Sequence, residues 1–467
     1  MIEGLKPYAE YKDSGSKWLG AVPATWEVRN LRTLISKRAE RDRPDLPLLS
    51  VAREKGVFVR SMTDADENHN VIPDDLTNYK VARAGNLVIN KMKAWQGSMG
   101  IAPCDGIVSP AYFVFDFRIS NHAFGQRLLR SKPYVAHFGQ ASDGVRVGQW
   151  DLSIPGMRQI PVLVPSDDEQ AAIVRFLDHA NRKIDGFIRA KRKLIGLLNE
   201  QKQAIIHRAV TRGLHPDVPL KPSGIPWLGD IPKHWEARAF ARMSRVVRGS
   251  SPRPAGDKRF FHGDFMPWVT VGEVTKDREM YLKSTETFLT QMGAERSTMF
   301  PAGTLILTNS GATLGVPKIL EINACANDGI VAFLGLRPLI QKPFAYLFLS
   351  TLTQRLRDEM RQGGTQPNLN TGIVRRIVCP VPPIAEQEAI LKYVERESAP
   401  LNTAIARTER EIALMQEYRT RLTADLVTGK LDVREAAAHL PAPPAAAVTD
   451  STADEPLEEI ETEEIEP

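Results

Sequence analysis

Two kinds of hydrophobic pattern alternate along the chain. In the first, Ile173, Leu177, Ala180, Ile184, Phe187, Leu194, Leu198 and Ile205 follow mostly alternating steps of four and three. This is a 3.5-residue period, and it predicts a long amphipathic helix over residues 166–214. Ser166-x-x-Glu169 reads as a capping box, with Pro165 just outside it. A second run, Ile390, Val394, Leu401, Ala404, Ile412, Met415, Tyr418 and Leu422, predicts another helix over 384–434, which Pro400 should kink or restart. Each would hold about 42 residues and span about 60 Å. The seam positions are Ile173, Leu177, Ile184, Leu194 and Leu198 on one helix, and Ile390, Val394, Leu401, Ile412, Met415 and Leu422 on the other. So narrow a seam on so long a helix needs a partner. Either the two helices pair with each other, or each packs separately on its own domain.

The other pattern is one of short strand-like runs between turn residues. Leu48–Val51, Gly85–Asn90 and Tyr112–Phe117 lie in the first half; Trp268–Val271, Gly303–Thr308 and Gly329–Leu334 lie in the second. Helical stretches fall around 121–132 and 343–360. Each body therefore reads as a mixed α+β domain.

The chain repeats itself. The stretch Ser14–Arg29 recurs as Ser223–Arg238, 209 residues later, with nine of sixteen positions identical. Trp18, Trp26, Trp227 and Trp235, four of the seven tryptophans, sit in this element, with Pro23 and Pro232 between them. These residues read as apolar anchors where each domain meets the helices. Val164–Ile173, around Glu169-Gln170, recurs as Val381–Ile390, around Glu386-Gln387, and Val210–Leu214 recurs as Val427–Leu431. The period of about 210 residues marks a duplicated domain rather than a solenoid.

At 467 residues the chain exceeds one ordinary core. No apolar run approaches the ~18 residues of a membrane span, and Met1–Lys6 lacks the apolar region of a secretory signal. Cys104, Cys325 and Cys379 are far apart, so neither a zinc knuckle nor a disulfide framework is expected, and a cytoplasmic location fits. From Leu440 onward there are nine acids and no Lys or Arg, so the remainder carries +14 where the whole carries +5. A body so basic suggests a polyanion as partner; solubility is the plainer explanation. The Pro/Ala-rich, acidic tail over 435–467 reads as disordered.

The duplicated order of Trp-Leu-Gly element, variable body and Glu-Gln-started helix resembles the specificity subunit of type I DNA restriction-modification enzymes, from about Ser14 to Arg434. Asn90–Ser98, Gly106–Tyr112 and Asp143–Leu152 look like one class of target recognition domain, and Thr308–Gly315 and Gly363–Asn370 like another. The resemblance implies an α+β fold: two tandem recognition domains (1–165 and 215–383) separated by two conserved helices (166–214 and 384–434). The helices would pair as an antiparallel coiled coil with pseudo-twofold symmetry. It implies that each domain reads one half of an asymmetric, split double-stranded DNA site. The coiled coil would set the spacing and dock methyltransferase subunits, two copies being expected, and a restriction/translocase subunit would join them. The chain itself would catalyse nothing and bind no cofactor or metal; S-adenosylmethionine, ATP and Mg would belong to partner subunits.

Residue chemistry points the same way. Base edges are read by Arg or Lys on guanine and by Asn or Gln on adenine. Lys91, Lys93 and Gln96 cluster around Trp95; Arg146 and Gln149 sit in a Gly-containing loop; Asn309, Ser310 and Thr313 follow a strand; Thr365, Gln366, Asn368 and Asn370 fill a Gly-Gly loop. These are the expected DNA-binding residues, whether to bases or phosphates. Trp95 could equally anchor its loop, and Asn370 could cap a helix or turn. The rival reading is a DNA-binding methyltransferase or nuclease with an unrecognised catalytic site. Against it, the chain has no F-x-G-x-G loop, no N-P-P-F/Y/W or D-P-P-Y tetrad and no G-x-x-x-x-G-K-S/T loop. Its E-x-K strings, Glu10–Lys12 and Glu200–Lys202, follow no strand bearing an Asp.

Overall fold

The computed structural model describes residues 5–60, 75–144, 150–311, 313–359 and 368–441. The chain divides into two compact units, and the division cuts through both long helices rather than falling at their ends. Among the described residues, one unit joins those up to Arg192 to those from Glu409 to Pro441; the other holds Lys193–Thr408.

In the first unit, an antiparallel sheet runs in the order Ile35–Lys37, Tyr112–Phe117, Leu87–Asn90, Met99–Ile101. In the second unit, Arg245–Arg248, Ile330–Leu334, Leu305–Thr308 and Pro317–Leu320 repeat that order, and Tyr281–Leu282 adds a parallel fifth strand. The second unit also carries a four-stranded sheet around Phe261–Val269. The strand after each Trp-Leu-Gly element pairs with the strand that feeds a long helix. Glu27 faces Val164 in one unit and Glu236 faces Val381 in the other. The two bodies thus share a four-stranded frame despite little shared sequence.

The long helices are Asp167–Arg212 and Ile384–Val427, of 46 and 44 residues. In the first unit they run antiparallel: Asp185 meets Arg419, and Lys191 meets Glu411 at 2.6 Å. In the second unit they do so again, with Lys202 donating to Asn402 at 2.8 Å while Ile206 and Val210 share a core with Ile390 and Val394.

The seam differs from the 3.5-residue expectation. Along the first helix one file of buried and half-buried positions runs through Ile173, Leu177, Ala180, Ile184, Ile188, Lys191, Ile195, Leu198, Lys202, Ile206 and Ala209. Along the second a like file runs through Ile390, Val394, Ser398, Leu401, Ile405, Thr408, Ile412, Met415, Arg419, Leu422 and Leu426. Both series take ten steps over 36 residues, a period of 3.6. A 3.5-residue repeat drifts about 20° per heptad off the face of such a helix. Leu194 is accordingly corrected: it stands 39% exposed, and Phe187 is exposed beside it, while Ile188 is buried and Ile195 half-buried.

Pro400 neither ends nor restarts the second helix, which continues through it. Proline removes one hydrogen bond and crowds the carbonyl four residues earlier, at Arg396. Pro400 lies on the exposed side, where that carbonyl can turn to water, and buried Val394, Ser398 and Ile405 flank it. Glu169, expected in a capping box, puts its Oε1 to tertiary use instead and accepts from the Tyr8 hydroxyl at 2.6 Å. Burial and that contact push the Tyr8 pKa upward.

Candidate nucleic-acid interface

The repeated motifs hold the bodies on the helices. Trp26 is fully buried among Ile173, Leu422, Leu426 and Val427. Trp235 is fully buried among Ile206, Val210 and Ile390, and its indole donates to Glu386 at 3.0 Å. Trp18 and Trp227, half-buried, line the same two cores. The glutamines act as matched brackets. Gln170 donates to the Pro165 carbonyl at 2.9 Å and accepts the Asn121 amide at 3.1 Å. Gln387 donates to Leu339 and Pro382 at 2.9 and 2.8 Å and accepts the Gln341 amide at 2.8 Å. Asn121 and Gln341 are the N-caps of helices His122–Leu129 and Lys342–Ser350, so each bracket ties a body helix to the start of a long helix.

In the first unit, the strand Leu87–Asn90 ends in the loop that carries four of the expected contacts. A 3-10 turn over Ala94–Gln96 closes at Gly97, whose φ of +88° and a Val135 methyl carbon 3.1 Å from a would-be Cβ both call for glycine. Lys91 pairs with Asp151 at 2.9 Å, Lys93 is exposed, and Gln96 is half-buried. Trp95 is half-buried, donates to the Met92 carbonyl at 3.0 Å and lies 5.3 Å from Trp150, so it anchors the loop on its own domain. Ser142–Asp143 pairs with Asp151–Leu152, and the Leu152 amide donates to the Lys91 carbonyl at 2.9 Å. The hairpin stem from which 144–150 springs is thereby fastened to the Lys91 loop. Arg146 and Gln149 themselves lie outside the described residues.

Other cations gather here that no sequence pattern marked. Burial lowers the Lys80 pKa, and the charges of Arg41, Lys37 and Lys91 lower it further. Strand pairing assembles them: Lys37 faces Phe115, and Arg41 bridges to Lys80. Residues forty positions apart leave no local signal of such a cluster.

In the second unit, the equivalent strand Leu305–Thr308 ends in Asn309 and Ser310. Asn309 is fully buried and donates to Asn368 Oδ1 at 3.3 Å and to the Leu369 carbonyl at 3.2 Å. It ties two loops together, and the expectation that its side chain faces DNA is corrected. Ser310 forms a β-bridge with Asn368, and both are half-buried. Thr313, half-buried, accepts the Thr308 hydroxyl at its carbonyl at 2.9 Å. Asn370 is exposed and caps the helix Thr371–Arg376 by accepting the Ile373 amide at 2.9 Å. Thr365 and Gln366 lie outside the described residues. In each unit, then, the polar loops assemble at the same end of the same strand of the shared frame.

Among the described residues, no group of three His, Cys, Asp or Glu is placed to hold a metal, and no helix is long and apolar enough to cross a membrane.

Comparison with known proteins bears on this arrangement. Residues 232–413 match the family model described as type I restriction modification DNA specificity domain. The chain is 27% identical over 166 residues to the type I restriction enzyme MjaIX specificity subunit of Methanocaldococcus jannaschii, covering 35% of this chain and 38% of that one. It is 22% identical over 209 residues to the type I restriction enzyme EcoKI specificity subunit of Escherichia coli, covering 44% of each. The matched stretches therefore span less than half of these relatives' lengths. A solved structure from a study of complex assembly and conformational transition of the type I R-M system aligns with a TM-score of 0.58 at 14% identity. That alignment covers 87% of this chain and 98% of the other, and establishes likeness of fold.

Proposed function

We propose that the chain is the DNA-recognition subunit of a type I restriction-modification complex, a reading supported by the match of residues 232–413 to the type I restriction modification DNA specificity domain and by the likeness to type I specificity subunits. Each body reads one half of an asymmetric, split site in double-stranded DNA. The paired helices set the distance between the halves and dock methyltransferase subunits, expected in two copies, with a restriction/translocase subunit joining them. The chain is non-catalytic and cytoplasmic. S-adenosylmethionine, ATP and Mg act on the partner subunits.

One observation carries the reading: equivalent strands of a shared frame end in polar loops of different sequence. Lys91, Lys93, Trp95 and Gln96 stand at that end in the first unit, and Asn309, Ser310, Thr313, Asn368 and Asn370 in the second. A common scaffold with different loops suits two readers of two different half-sites. Lys93 and Gln96 supply the reading edges in the first unit, together with Arg146 and Gln149. Thr365, Gln366 and Asn368 supply them in the second, with Asn309 and Asn370 holding the loop. A gel shift of the full chain, alone and with its methyltransferase, tests the proposal. Binding that discriminates between duplexes supports it; turnover of DNA by the chain alone would favour the enzyme reading.

A further inference from the structure

The structure assigns a second anion site to the second unit, away from the recognition loops: a pocket built by Arg242, Arg245 and Arg337 that takes a phosphodiester of the DNA backbone. The inference rests on the DNA-binding reading and extends it to a position that no motif marked.

The argument starts from the shared frame. In the first unit the Arg118 amide donates to the Leu34 carbonyl at 2.7 Å; in the second the Arg337 amide donates to the Met243 carbonyl at 2.9 Å. Leu34 and Met243 are 209 residues apart, the spacing of the Trp-Leu-Gly repeat, so Arg118 and Arg337 occupy one position of the frame. The first unit satisfies its guanidinium internally: Arg118 donates to the Thr33 carbonyl at 3.0 Å and to the Ser36 hydroxyl at 3.4 Å. At the same repeat spacing, Thr33 is replaced by Arg242 and Ser36 by Arg245. Two neighbours of the arginine have themselves become arginines.

The three arginines line one surface pocket of about 380 Å³, together with Ser244 and Gly335. All three arginines are exposed, and among the described residues none has a side-chain acceptor. Gly335 has a φ of +59° and nothing within 4 Å of a would-be Cβ, so backbone lies bare at the pocket's edge. Three like charges around one pocket with no carboxylate in its lining repel one another, and an oxyanion relieves that repulsion. Arginine's planar fork of donors matches phosphate oxygens in particular.

The frame also says which phosphate. Arg245 faces Leu334 at one end of its strand pair. Ile330, at the other end of that neighbouring strand, faces Thr308, and Gly329 accepts the Asn309 amide at 2.9 Å. Four residues of strand, about 13 Å, separate the pocket from the recognition loops. The major groove of B-DNA is about 12 Å wide. A loop reading that groove therefore leaves the pocket about one groove width away, where the flanking backbone runs.

The test is the salt dependence of binding by the full chain, alone and with its methyltransferase. It compares the wild type with the triple variant Arg242→Gln, Arg245→Gln, Arg337→Gln and with the triple Arg→Lys variant, on duplexes with and without the target. Each lost phosphate contact lowers the slope of log affinity against log salt by about 0.9. The Gln variant is expected to lose that slope on both duplexes equally, because a backbone contact carries no sequence information. The Lys variant is expected to restore most of it. Unchanged melting temperatures confirm that these exposed side chains do not hold the fold. An unchanged slope in the Gln variant overturns the inference. If inorganic phosphate at matched ionic strength then stabilises the wild type and not the variant, the pocket takes a free anion instead. If methyltransferase binding is lost with the slope intact, the pocket takes a carboxylate of the partner. Loss of discrimination between duplexes with the non-specific slope retained would count against the recognition reading and leave this one standing.

Discussion

Gln387 offers a test of whether the duplicated Glu-Gln motif is a structural bracket. It is fully buried and makes three hydrogen bonds, donating to Leu339 and Pro382 and accepting from the Gln341 amide. Leucine in its place removes all three and leaves buried carbonyls and an amide without partners. A typical net contribution of about 1 kcal/mol per bond gives a loss of about 3 kcal/mol, more where a group stays unsatisfied. For a unit of this size that shifts the melting temperature by about 6–12 °C. Gln170→Leu removes only the bonds to Pro165 and Asn121, so it should cost about 1 kcal/mol less. Gln387→Glu should cost more than leucine, since a carboxylate would face two carbonyl oxygens. Calorimetric unfolding of the full chain and the three variants reads this directly. A Gln387→Leu melting temperature within about 1 °C of wild type would refute the bracket. So would a larger loss from Gln170→Leu.

Further outcomes follow from the packing. Ile188→Asp, at a buried seam position, should destabilise by several kcal/mol, whereas Leu194→Asp, at an exposed one, should stay within about 0.5 kcal/mol by urea denaturation. Asn370→Ala should lose about 1 kcal/mol by removing a helix cap, seen as a lower urea midpoint without DNA present. Gly429→Ala should lower the melting temperature, because a Cβ there would stand 2.5 Å from Pro23 Cδ at a φ of +76°. A heptad added to both helices should lengthen the pair by about 10 Å. That is about three base pairs of spacer at about 3.4 Å each. The pairing of Lys202 with Asn402 sets Leu198 opposite Ala406 and Asn199 opposite Ile405, so the insertions belong after Leu198 and after Ile405. Methylation at the original spacing would show that the helices do not measure distance.

The repeats were legible because their residues perform the same packing task twice. Trp26 and Trp235 fill equivalent cores, and Gln170 and Gln387 bridge equivalent backbones, so identity was conserved between the halves where geometry was. Five of the six expected strands were legible to within a residue or two, since turn residues bound them; Trp268–Val271 was not, because that strand begins at Phe261, in a stretch without apolar alternation, and Val271 already opens a helix. The seam was legible at its ends, where Ile173 and Leu422 meet domain cores. It was misread in the middle, where Leu194 and Ile195 are equally apolar neighbours and only the 3.6-residue pitch decides between them. Asn309 illustrates a different limit: an asparagine that ties two loops and one that reads a base look alike in sequence. The clusters of Lys37, Arg41 and Lys80, and of Arg242, Arg245 and Arg337, were not evident because in each the last member, Lys80 or Arg337, comes from about forty or ninety residues further along the chain.

The central claim is that two different bodies on one repeated frame read two different halves of a divided target. Mapping methylated bases across the genome of a host expressing the full chain with its methyltransferase measures this most directly. The account predicts one split motif, with unlike halves separated by a spacer of fixed length and free sequence. A continuous motif, or two identical halves, would contradict it.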